Sequence, residues 1–103
     1  MAAKKVFVYE NEDALIVFPP VIVLTTGDTL TLVNATEENL DWEIPAGVFG
    51  NNPHSEKVIQ KNNSAAKPVP GGATATASTY QVRGRSTKKK GKGNSDPVII
   101  IDL

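Results

Sequence analysis

An antiparallel β-sandwich in a single domain is the fold this sequence predicts, and three observations predict it. Short runs rich in β-branched and aromatic residues recur along the 103-residue chain, about every 8–15 residues. Two of these runs alternate strictly between apolar and polar residues, the signature of a half-buried strand. No window of 11 residues carries the 3.6-residue period of an amphipathic helix. A chain of this length buries roughly 65% of its unfolded surface, enough for one core without disulfide or metal staples.

The elements follow in order. Val6-Phe7-Val8-Tyr9 has the composition of a strand. Ala14 to Phe18 and Val21 to Leu24 flank Pro19-Pro20; proline gives no N–H to a ladder, so the pair marks a bend or an edge. Thr25-Thr26-Gly27-Asp28 reads as a turn with glycine at a positive-φ position. Thr29 to Val33 alternates, with Leu30 and Leu32 facing inward. Asn34 to Asn39 is a polar loop, and Leu40 to Ile44 alternates again, with Leu40, Trp42 and Ile44 inward. Residues 46–73 are looser and rich in Gly, Asn and Pro, and Glu56 to Lys61 fits a short strand or a helical turn equally. Pro70-Gly71-Gly72 reads as a turn, since no Lys-Ser/Thr follows at phosphate-loop spacing. Thr74 to Val82 is a strand with Tyr80 and Val82 inward. Residues 83–95 form a basic loop, and Pro97 to Leu103 is the most apolar strand.

Composition excludes several classes of chemistry. There is no cysteine, hence no disulfide, thiolate metal site or thiol nucleophile, and there is one histidine, too few for most zinc and copper sites. The formal net charge of zero hides a polarised chain. Residues 1–56 hold nine acids and two bases, a net of −7, and residues 57–103 hold nine bases and two acids, a net of +7. No signal-peptide pattern and no apolar run of membrane-spanning length is visible. The expectation is a soluble domain, periplasmic or extracellular if a leader was removed and cytoplasmic otherwise.

Phe18-Pro19-Pro20-Val21-Ile22-Val23, followed by Thr26-Gly27-Asp28-Thr29-Leu30-Thr31-Leu32-Val33-Asn34, resembles the opening of the cupredoxins, the plastocyanin-like blue-copper proteins. Leu40 to Gly47 resembles the strand that in this family carries the first copper-binding histidine. Thr79-Tyr80-Gln81-Val82-Arg83-Gly84 resembles the penultimate strand that ends in the copper cysteine. The resemblance covers most of the chain outside residues 46–73. It implies a Greek-key sandwich of about seven to eight strands. The ligands of the family do not accompany it. The first histidine's place falls near Leu40 to Trp42, the cysteine's place is Gly84, and the following loop has neither His nor Met. No metal and no cofactor is therefore expected, and electron transfer is not.

The strongest local feature is the basic set Arg83, Arg85, Lys88, Lys89, Lys90 and Lys92. Six bases in ten residues at one end of a sandwich suit an anionic polymer or an acidic protein partner. The competing reading is a solvated hairpin that keeps a sheet edge from pairing. No aromatic lies within residues 81–103 to stack bases there, so no sequence-specific nucleic-acid contact is expected. Glu37, Glu38, Asp41 and Glu43 form an acidic set that lacks a calcium-loop pattern and reads as a solvated face, or as one that pairs with the basic half of a second copy. An enzyme of the Ser-His-acid type would have to use His54, in a polar loop without a nucleophile-elbow motif, so catalysis is not expected. Asn34-Ala35-Thr36 fits the N-glycosylation pattern.

Overall fold

The computed structural model describes residues 2–11, 14–61, 63–84, 91–92 and 97–102. Eleven strands follow one another: β1 (Ala3–Asn11), β2 (Ala14–Phe18), β3 (Val21–Leu24), β4 (Thr29–Asn34), β5 (Leu40–Ile44), β6 (His54–Val58), β7 (Asn63–Pro68), β8 (Thr76–Thr79), β9 (Gln81–Gly84), β10 (Gly91–Lys92) and β11 (Val98–Ile101). No helix among the described residues is long and apolar enough to cross a membrane.

One layer is a five-stranded sheet in the order β10-β2-β1-β4-β7. The other consists of two three-stranded sheets, β3-β11-β8 and β6-β5-β9, which share one chain passage because only Tyr80 separates β8 from β9. The all-β sandwich is thus the predicted one. With β2–β3 and β8–β9 each counted as one interrupted passage, eight long passages remain beside the two-residue β10.

Antiparallel pairing, as expected, joins five pairs of strands among the described residues, and three parallel pairings stand beside it. β1 runs parallel to β4, β3 parallel to β11, and β10 parallel to β2. The cause lies at Pro19-Pro20. The chain pairs antiparallel with β1 through β2, leaves that sheet at the two prolines, and joins the opposite layer as β3. It then returns as β4 on the other side of β1, running in the same direction. The Phe18–Pro19 peptide is cis.

Alternation decides what is buried. Leu30 and Leu32 on β4, and Leu40, Trp42 and Ile44 on β5, are within 1% of complete burial, as their spacing requires. They meet Val6, Val8, Leu15 and Val17 from the five-stranded sheet and Tyr80, Val82, Ile99 and Ile101 from the other layer in one continuous cluster. The turn before β4 is also as expected: Asp28 N–H donates to the Thr25 carbonyl at 3.0 Å and Gly27 has φ +89°. The Pro70 turn closes through Ala73 N–H at 3.1 Å.

Two segments required the structure. Of Glu56 to Lys61, residues 56–58 belong to strand β6, whose ladder partner is β5, and residues 60–61 form a turn. β7 pairs with β4 through six residues of the stretch that reads as loose in sequence. Its composition, Asn-Ser-Ala-Ala-Lys-Pro, carries little intrinsic strand preference, so the free edge of β4 supplies the ordering.

Candidate functional site

The β5–β9 ladder sets Leu40 opposite Gly84, Asp41 opposite Arg83, Trp42 opposite Val82 and Glu43 opposite Gln81. Leu40 to Trp42, near which the cupredoxin resemblance places the first copper histidine, therefore run beside Val82 to Gly84, where Gly84 holds the cysteine's place. Leu40 is fully buried, as is Trp42, and Gly84 is buried beside them. Leucine and glycine side chains offer no lone pair, and an indole N–H only donates. A blue-copper centre needs imidazole and thiolate donors. These residues do not fit that ion. Among the described residues no three His, Cys, Asp or Glu side chains gather in a way that would hold a metal.

The basic set is only partly placed. Arg83 belongs to strand β9, not to a loop. Its guanidinium lies 3.5 Å from the Glu43 carboxylate and donates from Nε, at 3.1 Å, and from Nη2 to Oε1 of Gln81. It is committed to its own sheet face, in a half-exposed pair of small energetic weight. Lys92 lies on β10, whose backbone pairs with Leu15 and Ile16. Arg85, Lys88, Lys89 and Lys90 lie outside the described residues.

The acidic set is dispersed. Asp41 and Glu43 project from β5, with Lys57 and Arg83 as the ladder neighbours of Asp41. Glu37 and Glu38 sit in the β4–β5 loop, where Glu37 N–H donates to the Glu10 carboxylate at 3.0 Å and Glu38 is buried.

His54 corrects the sequence reading. It opens strand β6, is half-buried, and lines a cleft of about 460 Å³ together with Ile44, Pro45, Pro53, Thr79 and Tyr80. Its Nε2 lies 3.0 Å from Glu56 Oε1, two residues along the same face. Its ring stands perpendicular to Trp42, with centroids 5.7 Å apart. The cleft and the His–carboxylate pair are features an enzyme would need. Ser55, the exposed next residue on the strand, also borders the cleft, with Glu43 and Gln81, but no hydrogen bond joins it to His54 among the described residues. At the back of the cleft Tyr80 is almost completely buried, its hydroxyl has no hydrogen-bond partner among the described residues, and burial pushes its pKa well above the usual value. Trp42 Nε1 is likewise buried without a partner among the described residues.

Two buried polar residues shape the ends of the sandwich. Asn34 donates from Nδ2 to the carbonyls of Glu38 (2.9 Å) and Val58 (3.0 Å), and its Oδ1 accepts from Thr36 N–H (3.0 Å). The Thr36 hydroxyl lies 2.6 Å from Asn34 Oδ1 and 2.9 Å from the Glu38 carbonyl, so its single proton serves one of them at a time. With both ends of its amide engaged and no exposure, Asn34 in the folded chain is a loop anchor and not a glycan acceptor. Asp28, at the other end, accepts from the N–H groups of Thr25 and Ala2, both at 2.9 Å, and faces Lys4 at 3.8 Å. The Thr25 bond leads in holding its carboxyl below the usual range, against the opposing effect of burial, with Ala2 and Lys4 assisting.

No family model matches the chain, and no curated protein matches its sequence. Solved structures do match its fold. A Cu(I) amicyanin variant superposes with a TM-score of 0.65 at 15% identity, over 97% of this chain and 82% of that one. A reduced amicyanin variant gives 0.66 at 15% identity, and an oxidised variant 0.65 at 16%, with the same coverage. At such identity the likeness establishes the fold, which is cupredoxin-like.

Proposed function

We propose that this domain acts by binding, as a cupredoxin-like sandwich without the family's copper centre and without electron transfer. The observation that carries this reading is the β5–β9 ladder, which brings Leu40-Asp41-Trp42, near which the resemblance puts the first histidine, beside Gly84 in the cysteine's place, with neither imidazole nor thiolate among them. The cleft beside His54 has a volume suited to a small ligand, and Ile44, Pro45, Pro53 and Tyr80 give it largely apolar walls. The test is copper titration of the chain, followed by native mass and absorbance. The expected result is no stoichiometric copper and no intense visible band; a one-to-one complex with such a band overturns the reading.

A second reading rests on the basic run within residues 83–92, whose five bases other than the Glu43-paired Arg83 suit an anionic polymer or an acidic partner. It is separable by experiment. A triple variant with Lys88, Lys89 and Lys90 replaced by alanine should elute from heparin at lower salt than the wild type. Equal elution removes the polyanion reading and leaves the cleft as the place to look for a ligand.

A further inference from the structure

The cleft beside His54 marks a place where one layer of the sandwich stays open. The last rung of β5 with β9 is Glu43 opposite Gln81, and one rung further Pro45 would stand opposite Thr79. The last rung of β5 with β6 is Ile44 opposite His54, and one rung further Pro45 would stand opposite Pro53. Neither proline has an N–H to give, so both ladders stop there. Beyond Pro45 the chain turns away, with Gly47 N–H donating to the Gly50 carbonyl at 2.8 Å. β8 extends past this rung, paired with β11 on one side and at the edge of its sheet on the other. Pro45, Pro53, Thr79 and Tyr80 all line the cleft at the opening.

The register decides which backbone groups of β8 are free. Tyr80 N–H donates to the Pro97 carbonyl at 3.0 Å, on the β11 side. Bonding directions alternate along an antiparallel strand, so Ser78 and Thr76 also bond toward β11. Ala77 and Thr79, both exposed, therefore turn their N–H and C=O groups to the open side. Among the described residues no strand pairs with that side, and only the Thr79 carbonyl has a partner there, the Ser78 hydroxyl at 3.1 Å. The two N–H groups and the Ala77 carbonyl stand in one row, two residues or about 7 Å apart, the spacing of an extended peptide backbone. Tyr80 is buried, so Ser78, two residues before it, turns to the same inward face.

We propose that this opening takes an extended peptide segment of a partner protein, added antiparallel to the free edge of β8 in the place that β5 leaves after Pro45. Peptide residues opposite Ala77 and Thr79 exchange backbone bonds with them. The residue between, opposite Ser78, shares the inward face and turns its side chain to the cleft. That side chain is apolar, because Ile44, Pro45, Pro53 and Tyr80 form the walls it meets. Main-chain bonds hold such an added strand, and the pocket for the alternate side chain selects it. The free edge of β3 is different. The Pro20 and Leu24 carbonyls bond to β11, so the Val23 carbonyl faces the open side, where the Lys4 ammonium donates to it at 2.6 Å. Thr25 N–H, on the same side, donates to the Asp28 carboxylate at 2.9 Å, so side chains already cap that edge. The proposal rests on the reading of the domain as a binding module and names the ligand class of its cleft.

The test is a titration of the full chain, followed by amide NMR, with blocked pentapeptides Thr-Thr-X-Thr-Thr in which X is Ala, Val, Leu, Ile or Phe. At least one X larger than Ala should reach half-saturation below about 1 mM. The Ala77 and Thr79 amides should shift and exchange more slowly with solvent, while those of Val21 and Val23 stay as they were. Methylating the nitrogens of the two threonines that flank X removes the N–H groups aimed at β8 and should weaken binding about tenfold or more. Methylating the nitrogen of X, which points away from β8, should leave binding within about threefold. These peptides meet the unaltered chain, so no variant has to fold; Ala77→Pro, which removes an edge donor outside the β11 ladder, should reproduce the tenfold loss. No shift with any of the five peptides overturns the proposal, and so does equal binding by the peptide methylated beside X. Ala77 and Thr79 signals that move with protein concentration alone assign the edge to a second copy and overturn it too. Failure here beside a copper-free titration removes the peptide and keeps the metal-free binding reading; copper uptake removes that reading whatever the peptides do.

Discussion

Trp42 and His54 meet at right angles, ring centroids 5.7 Å apart, although they lie on adjacent strands and twelve positions apart in sequence. The contact follows from the β5–β6 register, in which His54 pairs with Ile44 and Glu56 with Trp42, placing all four on one face. It links the sole histidine to the sole tryptophan of the chain.

That contact gives the imidazole an optical reporter. Removal of the ring in His54→Ala should change the intensity of Trp42 emission at a fixed pH. Emission spectra of the two folded proteins check this; identical spectra would mean that the rings do not meet in solution.

Tyr80 is the next test. The buried hydroxyl has no partner among the described residues and costs free energy that phenylalanine would not, so Tyr80→Phe should raise stability by about 1 kcal/mol. The pH dependence follows from the raised pKa. Above about pH 10 the unfolded chain releases the phenolic proton while the folded chain retains it, so ionisation favours unfolding. Wild-type stability should therefore fall relative to Tyr80→Phe as pH rises beyond 10. Urea unfolding of both proteins at pH 7 and pH 11 measures the two effects; a less stable Tyr80→Phe at pH 7 would show that the hydroxyl is hydrogen-bonded in solution.

Asp28 acts at the opposite end of the pH scale. Its folded pKa is depressed, so its contribution is fully present above the ordinary carboxylate range and disappears as pH falls through the folded value. Asp28→Asn retains one acceptor oxygen for the two N–H groups of Ala2 and Thr25. The variant should have a lower Tm than the wild type at pH 7, and the gap should narrow as the solution is acidified. Thermal melts at a series of pH values check it, and a gap independent of pH would contradict the assignment.

Lys61 adopts φ +65°, the left-handed region that a side chain occupies at a cost. Its N–H donates to the Thr36 carbonyl at 3.0 Å, which holds the turn after β6 against the β4–β5 loop. Lys61→Gly should be neutral or stabilising by up to about 1 kcal/mol, and Lys61→Val should cost about 1–2 kcal/mol. Denaturant midpoints rank the three proteins.

Much of the fold was legible where alternation was strict. Leu30, Leu32, Leu40, Trp42 and Ile44 could be assigned to the core from spacing alone, and each is buried. Val6-Phe7-Val8-Tyr9 could be assigned as a strand but not given an inward face, because both of its faces are apolar; the valines went in and the rings out. The parallel pairings of β1 with β4 and of β3 with β11 depend on where the chain changes sheets, which no local pattern encodes. His54 looked like a loop residue because Asn51-Asn52-Pro53 precedes it and its strand has one apolar residue, Val58. Arg83 counted as part of a charged run in sequence, although β9 places it with Glu43 and Gln81.

Two chain passages, β2–β3 at Pro19-Pro20 and β8–β9 at Tyr80, cross from one sheet to another without a long connection. The first stitches the two layers together; the second fastens the halves of one layer to each other. Neither layer can be peeled away without tearing a strand out of its neighbour. The sandwich is therefore one cooperative unit, in which slow amide exchange at β1 and at β11 reports the same global opening.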